Sequence, residues 1–372
     1  MDYETPQFFR VMQYAARADR DVVDMVSGNP DWDPPAALRD GLREFADLPA
    51  DDFQYPPSVG LRSLREAIAA RRDVPRGRVL VTNGAGEANH LAMTGGLDHF
   101  PGNEILLTDP VYPYYAGRAN FVGAETTYVP VADDGHLRPA DVRAAAGEET
   151  AVIVVTSPNN PTGAVYDADA MAEFAAIAEA HDALLVADEV YDHFDFSGRF
   201  ASALATDSPN VVATNSFSKS MAVTGLRVGY AVFPSEDGPN GDLLDRARTR
   251  HMLTNVTGSR PAQYAVERAF RETDPDYYAA ARERLTDRID AICGALDAVG
   301  AEYDRPEGGF YVMARFPGFP GSLANVQELI DEGGVAGMPG EAFGESRADW
   351  LRFSLTTDRV ETAADRLVDF FG

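Results

Sequence analysis

From residue 79 onward, short apolar runs alternate with longer stretches whose apolar residues recur at helical spacing. The apolar runs are, in chain order, VLVTNG, EILLTDP, AETTYVPV, AVIVVTSPNNPTG, ALLVADEVY, VVATNSFS and RVGYAVFP. Several are apolar throughout, as expected of strands that are covered on both faces. Together with helical stretches such as DADAMAEFAAIAEAHDA (167–183), they predict an α/β fold with a mostly parallel seven-stranded sheet flanked by helices.

After about residue 260 the pattern changes to one long helix followed by a mixture of strands and helices. The later elements are a helix from Tyr277 to Val299, the strand GGFYVMARF (308–316), a helix near 321–331, the strand WLRFSL (350–355) and a last helix. This order predicts a smaller α+β domain. The chain start contains SGNPDWDPP, which has too many turn formers for a helix. We predict three parts: residues 1–40 packed on the small domain, a large domain over 41–265 and a small domain over 266–372.

Composition narrows the class of protein. With 59 acidic and 32 basic residues the 372-residue chain carries a net charge of −27, which disfavours binding to nucleic acids because their phosphates would be repelled. We predict no transmembrane segment and no secretory signal at the start MDYETPQFFR. One cysteine and six scattered histidines predict neither a disulfide within the chain nor a metal site. A cytoplasmic location fits best.

Lys219 is the only lysine among those 32 basic residues. Few lysines and many carboxylates together favour adaptation to concentrated salt, where charge repulsion is screened. A GC-rich genome would explain the missing lysine but not the surplus of carboxylates. Lys219 follows the run VVATNSFS, so it lies at the carboxyl end of a predicted strand, where open α/β sheets bind ligands. An amine can condense with an aldehyde, which a guanidinium cannot usefully do.

Several motifs occur in a fixed order along the chain. They are SGNPDW, TNGAGEANH, DPVYPYY, SPNNPTG, ADEVY, SFSKSMAVTGLRVG, MPGEAFG and WLRFSL. In this order the chain resembles the class I/II aminotransferase family of fold-type-I pyridoxal-phosphate enzymes. The resemblance implies that pyridoxal 5'-phosphate is the cofactor and that the large domain binds it.

The resemblance also implies which residues hold the cofactor. Lys219 would form a Schiff base with it, and Asp188 would pair with its pyridine nitrogen and favour the protonated, electron-accepting ring. Tyr191 and Asn160 would hydrogen-bond its phenolic oxygen, and Tyr112 would stack on its ring. The phosphate would be bound by the backbone of Ala85 and Gly86, by Ser216 and by Arg227. Lys219, Asp188 and Tyr191 are the predicted catalytic residues, whereas Glu189 is predicted to be structural because it points to the opposite face of its strand.

Substrate contacts follow from the same resemblance. Arg352 lies between apolar neighbours in WLRFSL and therefore needs an anionic partner. The resemblance implies that this partner is the substrate α-carboxylate, with help from Gly28 and Asn160. Tyr55 corresponds to a tyrosine that reaches the cofactor phosphate of the neighbouring subunit, which implies a homodimer with shared active sites.

These residues predict a transaminase that moves an amino group from an L-amino acid to a 2-oxo acid. For Lys219 to act as the base, its pKa must fall well below the reference of ~10.4. Some relatives recognise a side-chain carboxylate with a second basic residue, which cannot be a lysine here because the chain has no second one. Arg250 lies about where other subgroups place an arginine donated across the dimer, although exposure on the surface would also explain it. An apolar or aromatic side chain could instead be framed by Tyr14, Tyr112 and Phe8 or Phe9.

Two other functions stay open at this point. A pyridoxal-phosphate-dependent C–S lyase shares every motif above, because only the fate of the substrate carbanion differs. A cofactor-binding transcription regulator of the same fold would need an N-terminal DNA-binding domain, yet only 83 residues precede the glycine turn of TNGAGEANH. The preferred prediction is a broad aminotransferase linked to 2-oxoglutarate, with aspartate as one candidate donor.

Overall fold

A computed structural model describes residues 7–372. Its strands are β1 (Val23–Asp24), β2 (Val79–Thr82), β3 (Glu104–Asp109), β4 (Glu125–Pro130), β5 (Thr150–Thr156), β6 (Leu184–Asp188), β7 (Val211–Ser216), β8 (Gly229–Val232), β9 (Glu302–Tyr303), β10 (Tyr311–Arg315), β11 (Val335–Ala336), β12 (Met338–Pro339) and β13 (Leu351–Ser354). Its helices are α1 (Gln7–Ala15), α2 (Ala36–Ala46), α3 (Arg62–Arg72), α4 (Ala85–His99), α5 (Tyr114–Phe121), α6 (Pro139–Ala145), α7 (Ala168–Ala180), α8 (Phe217–Ser220), α9 (Asp242–Asn255), α10 (Arg260–Glu272), α11 (Pro275–Ala298), α12 (Leu323–Glu328) and α13 (Val360–Phe371). Within this described range, none of the helices combines the length and the apolar composition that a bilayer crossing requires.

The central sheet has seven strands in the order β2-β8-β7-β6-β5-β3-β4. Strands β4, β3, β5, β6 and β7 pair in parallel, whereas β8 runs antiparallel to both β7 and β2. Each of the seven apolar runs picked out in the sequence forms one of these strands. The predicted α/β fold with a mostly parallel seven-stranded sheet is therefore confirmed.

Helices cover both faces of this sheet, as the apolar runs require. Along β5, Val152 and Val154 pack into a core that includes α4 and α9. Their neighbours Ile153 and Val155 pack on the other face, against Phe174 of α7. Because side chains alternate along a strand, a run that is apolar at every position needs a cover on each side.

The C-terminal part of the chain forms a second sheet, which is antiparallel with the order β12-β13-β10-β9. The N-terminal segment joins it, because β1 pairs in parallel with β11 and places Val23 opposite Val335. One apolar core contains Val11 of α1 together with Leu285 of α11 and Leu367 of α13. The N-terminal segment thus lies against elements that are more than 250 residues away along the chain.

The division of the chain into domains stays a prediction. The boundaries predicted after residues 40 and 265 fall inside α2 and α10. These two helices share one apolar core, in which Leu38 of α2 and Val266 of α10 are buried together with Val79 and Val81 of β2.

Glu189 follows directly after β6 and is fully buried, facing away from the residues expected to carry the chemistry. Its carboxylate forms an ion pair with Arg72 of α3 and accepts hydrogen bonds from Ser202 Oγ and Ala203 N, both at 2.9 Å. Arg72 also lies 3.3 Å from the carboxylate of Asp192. This buried cluster ties α3 to the chain segment on either side of Val190 and Tyr191.

We expect Arg72→Leu to lower the free energy of unfolding by about 3–5 kcal/mol, because it leaves the Glu189 carboxylate buried without its cation. Urea denaturation followed by circular dichroism would measure the change. Arg62→Leu is the matched control, since Arg62 and Glu66 form an exposed pair on the same helix and should cost less than about 1 kcal/mol. Equal decreases in the free energy of unfolding of the two variants would contradict this account of the buried ion pair.

Candidate active site

A cavity of roughly 350 Å³ opens at the carboxyl ends of the central strands, where the N-terminal segment and β13 meet the large sheet. The sequence-predicted residues that line it are Gly28, Ala85, Gly86, Tyr112, Asn160, Asp188, Tyr191, Ser216, Lys219, Arg227 and Arg352. A larger and more open depression of about 730 Å³ beside Arg71 and His193 contains none of them. The smaller cavity is therefore the candidate active site.

Lys219 lies on the short helix α8, immediately after β7, and its Nζ donates a hydrogen bond to the carbonyl of Gly28. Burial, together with the nearby positive charges of Arg352 and Arg227, lowers the pKa of Lys219 to about 8. A Cβ on Gly28 would lie 2.1 Å from the hydroxyl of Tyr311 and 3.4 Å from Nζ. A side chain at position 28 would therefore collide with Tyr311, and glycine avoids this collision beside the amine.

Asp188 is the last residue of β6 and is almost fully buried. Its Oδ2 accepts hydrogen bonds from Asn89 Nδ2 at 2.7 Å and from the hydroxyl of Tyr115, while Oδ1 accepts one from Val190 N at 3.0 Å. Burial raises its pKa, and these hydrogen bonds act in the opposite direction. A carboxylate offers about four acceptor positions, so Asp188 can still accept a hydrogen bond from one cationic or neutral N–H in the cavity.

The turn between β2 and α4 is built for an anion. Gly84 precedes α4 with a φ of 79°, a conformation that glycine adopts without strain. The N–H groups of Ala85 and Gly86 open the helix and have no acceptor within it, so they suit a phosphate. Arg227 flanks the turn and donates to the carbonyls of Thr224 at 2.8 Å and Asn83 at 3.3 Å.

Arg352 on β13 is a buried cation with spare hydrogen-bonding capacity. It donates to Val26 O at 2.6 Å and to Asn160 Oδ1 at 3.2 Å, but within residues 7–372 its Nε has no partner. The guanidinium carbon lies 4.3 Å from the centroid of the Tyr311 ring. A buried guanidinium that meets only neutral groups is a ready site for a carboxylate.

Phenols form a further part of the lining. The hydroxyls of Tyr191 and Tyr311 lie 3.3 Å apart, and burial raises the pKa of both groups, so both are neutral near pH 7. The ring of Tyr112 stacks on that of Tyr114, with centroids 5.0 Å apart and planes 20° apart.

Four residues that the sequence suggested as cofactor or substrate contacts do not line the cavity. Tyr55 is 80% exposed on the surface of the protomer. Arg250 pairs with the carboxylate of Asp98, and Tyr14 donates to Asp331 at 2.6 Å. Phe9 is 44% exposed, whereas Phe8 lines the cavity. Within this protomer, Tyr14 and Phe9 therefore do not line the cavity, and their predicted contact with a substrate side chain stays a prediction.

Four further residues line the cavity that the sequence motifs did not indicate: Asn89, Tyr115, Tyr311 and Arg118. Asn89 follows the glycine turn by one helical turn, so its position on the inner side of α4 could have been deduced. Tyr115 is three residues after Tyr112 at helical spacing, which is a weaker signal. No local pattern marks Tyr311 or Arg118, because only the tertiary fold brings them here.

The cavity fits pyridoxal 5'-phosphate by its donors and acceptors. It offers an amine with a lowered pKa for the aldehyde carbon, and a buried carboxylate with one free acceptor position for the pyridine nitrogen. A helix N-terminus with a neighbouring arginine suits the phosphate. The aldehyde carbon, the pyridine nitrogen and the phosphate of the cofactor would thus each find a matching group in one cavity.

Comparison with known proteins agrees with this geometry. The family model for aminotransferase class I and II matches residues 20–367. The aspartate/prephenate aminotransferase of Thermus thermophilus is 31% identical over 366 residues, covering 95% of this chain and 91% of that protein. The structure of aspartate aminotransferase from Thermus thermophilus with maleate has a TM-score of 0.89 at 28% identity, covering 98% of this chain and 97% of that chain. N-succinyldiaminopimelate aminotransferase from Mycobacterium tuberculosis has a TM-score of 0.89 at 29% identity, covering 99% and 97%.

The lowered pKa of Lys219 can be measured directly, because this residue carries the only side-chain amine in the chain. In the cofactor-free protein, we expect its reaction with a small amine-reactive reagent to rise with pH and to be half-maximal at about pH 8. The sign follows from chemistry, since only the neutral amine attacks. Peptide mass spectrometry separates Lys219 from the N-terminal amine. A half-maximal rate near pH ~10.4, the value of a model lysine measured in parallel, would contradict the prediction.

Proposed function

The chain belongs to the class I and II aminotransferases, and on that premise we propose that it transfers the amino group of an L-amino acid to a 2-oxo acid at the cavity around Lys219. It is a transaminase and, like the members of its family, it uses pyridoxal 5'-phosphate. Aspartate is one candidate donor, since two of the similar proteins are named for it. The observation that carries the assignment to this cavity is the single lysine, whose amine faces one buried carboxylate and two arginines.

The residues that would hold the cofactor follow from their positions. Lys219 would bind its aldehyde carbon, and Asp188 would accept a hydrogen bond from its pyridine nitrogen. Tyr112 would stack on the ring, while Asn160 and Tyr191 would lie at the phenolic oxygen. The phosphate would be held by the N–H groups of Ala85 and Gly86, by Ser216 and by Arg227.

When bound, pyridoxal phosphate supplies an aromatic ring that accepts the electron pair left at the substrate α-carbon. The chain's own contribution to that step is the amine of Lys219. Its lowered pKa makes a neutral amine accessible near neutral pH, so Lys219 would act as the base that removes the proton from the substrate α-carbon. Asp188 favours the protonated pyridine by accepting its hydrogen bond.

Arg352 would bind the substrate α-carboxylate through its planar guanidinium. Asn160 holds one side of that group, and Val26 holds the other through its carbonyl. The carbonyl of Gly28 lies at Lys219 Nζ. The clamp and the base are therefore both tied to the same short N-terminal segment, which would orient the α-carbon toward the amine.

We also propose that two copies of the chain form a homodimer with shared active sites. Five exposed apolar side chains lie in two segments that contact each other: Phe53, Tyr55, Met252, Leu253 and Val256. Arg260 joins the segments by donating to the carbonyls of Asp51 and Gln54. Asn255 donates to Glu87 in the first turn of α4, so this apolar surface borders the phosphate end of the cavity. Tyr55 would then reach the cofactor phosphate of the partner.

The acidic composition supports one further proposal, namely that the protein works in the cytoplasm of a salt-adapted cell. At a net charge of −27, self-repulsion falls when salt shortens the screening length to ~3 Å at 1 M. Arginine replaces lysine at every other position that carries a basic side chain.

Lys219→Arg should keep the positive charge and lose the chemistry, with aspartate turnover reduced by at least about 10³-fold because a guanidinium is neither a usable nucleophile nor a base near pH 7. The change in cofactor absorbance after addition of aspartate, without a 2-oxo acid, would measure the first half-reaction. Arg143→Lys is the control, since it places a lysine on the surface and should leave the rate unchanged. More than trace activity in Lys219→Arg would refute the assignment.

Leu253→Asp should weaken the homodimer by at least about 100-fold, because a symmetric interface loses the buried side chain twice. Sedimentation velocity over a range of concentrations would measure the dissociation constant. Tyr128→Asp is the matched control, as Tyr128 is exposed on β4 at the opposite edge of the sheet from β2. A variant that stays as tightly associated as the unmodified protein would place the interface elsewhere.

A further inference from the structure

Arg118 of α5 lines the cavity, yet it has no counterion there. Within residues 7–372, no carboxylate lies within ion-pairing distance of its guanidinium, and no carbonyl accepts a hydrogen bond from it. The guanidinium carbon lies 5.8 Å from the ring centroid of Tyr114 and 6.0 Å from that of Tyr115. Arg118 is therefore held by aromatic rings and by the shape of its surroundings, with its hydrogen-bond donors free.

The guanidinium of Arg118 lies close to the backbone of Gly86. A Cβ on Gly86 would lie 3.0 Å from an Nη atom of Arg118, which is closer than side-chain contacts usually allow. Gly86 is the second residue of α4 and belongs to the anion-binding turn. Glycine here gives the guanidinium room to lie beside the turn and to face the cavity.

The charges in the cavity exceed what the cofactor and the α-carboxylate need. Among residues 7–372, the charged lining consists of one carboxylate and four cations: Asp188, Arg118, Lys219, Arg227 and Arg352. Lys219 serves the aldehyde, Arg227 the phosphate and Arg352 the α-carboxylate. In a chain with a net charge of −27, a fourth cation that lacks a protein partner points to another anion in the complete complex.

We propose that Arg118 binds the side-chain carboxylate of the substrate, so that the enzyme selects dicarboxylic amino acids and their 2-oxo acids. The inference rests on the proposed function, because it assigns the α-carboxylate to Arg352. An arginine can bind a carboxylate through two parallel hydrogen bonds. Since Lys219 is the only lysine, an arginine is the side chain left for this purpose.

Arg118 and Arg352 line the same cavity, and both lie near enough to Tyr112 to act on it electrostatically. Arg118 lies beside Tyr114, which stacks on Tyr112, the residue proposed to stack on the cofactor. Both Arg118 and Arg352 act to lower the pKa of Tyr112, against the stronger effect of burial. One small molecule with two carboxylates could thus contact Arg352 and Arg118 at once.

An uncharged side chain has a separate place to go. A space of about 190 Å³ beside the cavity is lined by Phe8, Tyr114, Met338 and Phe343. Glu341 also lines this space, and its negative charge would disfavour a second carboxylate there. Monocarboxylic ligands should therefore bind without help from Arg118, which provides an internal control.

The test uses the holoenzyme and two unreactive ligands, maleate as the dicarboxylate and 3-phenylpropionate as the monocarboxylate. In Arg118→Leu we expect the dissociation constant of maleate, measured by isothermal titration calorimetry, to rise about 10- to 100-fold. That of 3-phenylpropionate should change less than about twofold. Arg118→Lys should recover part of the maleate affinity. Arg143→Leu removes a surface arginine of α6 that does not line the cavity. It should leave the dissociation constants of both ligands unchanged.

Three outcomes would overturn the inference. Maleate could bind equally well with and without the guanidinium, which would leave the proposed transamination standing. Arg118→Leu could weaken both ligands alike and raise the dissociation constant of the cofactor, measured by absorbance titration, which would make Arg118 a ligand of the phosphate. Failure of the unmodified holoenzyme to exchange amino groups with any donor of a panel would refute the proposed function itself, and the inference with it.

Discussion

The short segment from Met25 to Gly28 is the constraint on which the site depends. Its four consecutive carbonyls each accept a hydrogen bond from a different group: Ser354 N, Arg352 Nη2, Thr356 Oγ1 and Lys219 Nζ. The first three donors belong to β13 and the residue pair after it, whereas Lys219 lies on α8, directly after β7 of the central sheet. A single short segment thus fixes the separation between the carboxylate clamp and the amine. Because these hydrogen bonds are buried or partly buried, a shift of the segment would leave several polar groups unpaired at once.

Burial gives each charged group in the cavity its role. The same desolvation that lowers the pKa of Lys219 raises that of Asp188 and opposes the charged form of Arg352. Burial disfavours the charged form of each of these groups. A bound ligand of opposite charge, or a hydrogen-bond donor in the case of Asp188, would stabilise that charged form again. The unpaired Nε of Arg352 therefore suits an anion, and the remaining acceptor position of Asp188 suits an N–H donor.

Sequence reasoning predicted the parts of the structure that are encoded locally. The seven strands were visible as apolar runs, and the turn before α4 was visible because only glycine suits its backbone. Lys219, Asp188 and Asn160 were visible because each follows a strand directly, and the carboxyl ends of parallel strands meet at one edge. Tyr311 and Arg118 were not, since a strand of the other sheet and a helix between β3 and β4 carry them to the cavity from unrelated stretches of sequence. Tyr55 lies on the surface of its own protomer, so its predicted role concerns a second copy of the chain.

The main cavity and the smaller apolar space beside it have four lining residues in common. Phe8, Tyr112, Tyr114 and Arg352 line both the main cavity, which contains Arg118, and the smaller apolar space. One clamp for the α-carboxylate could therefore serve both kinds of substrate, while the choice between them is made beyond Tyr114. A charged side chain would gain an ion pair on the Arg118 side, and an apolar one would gain contact area on the other. Dicarboxylic selectivity and a broad donor range are thus compatible in one site. Arg118 would determine the affinity for charged side chains, and the apolar space would determine the affinity for uncharged ones.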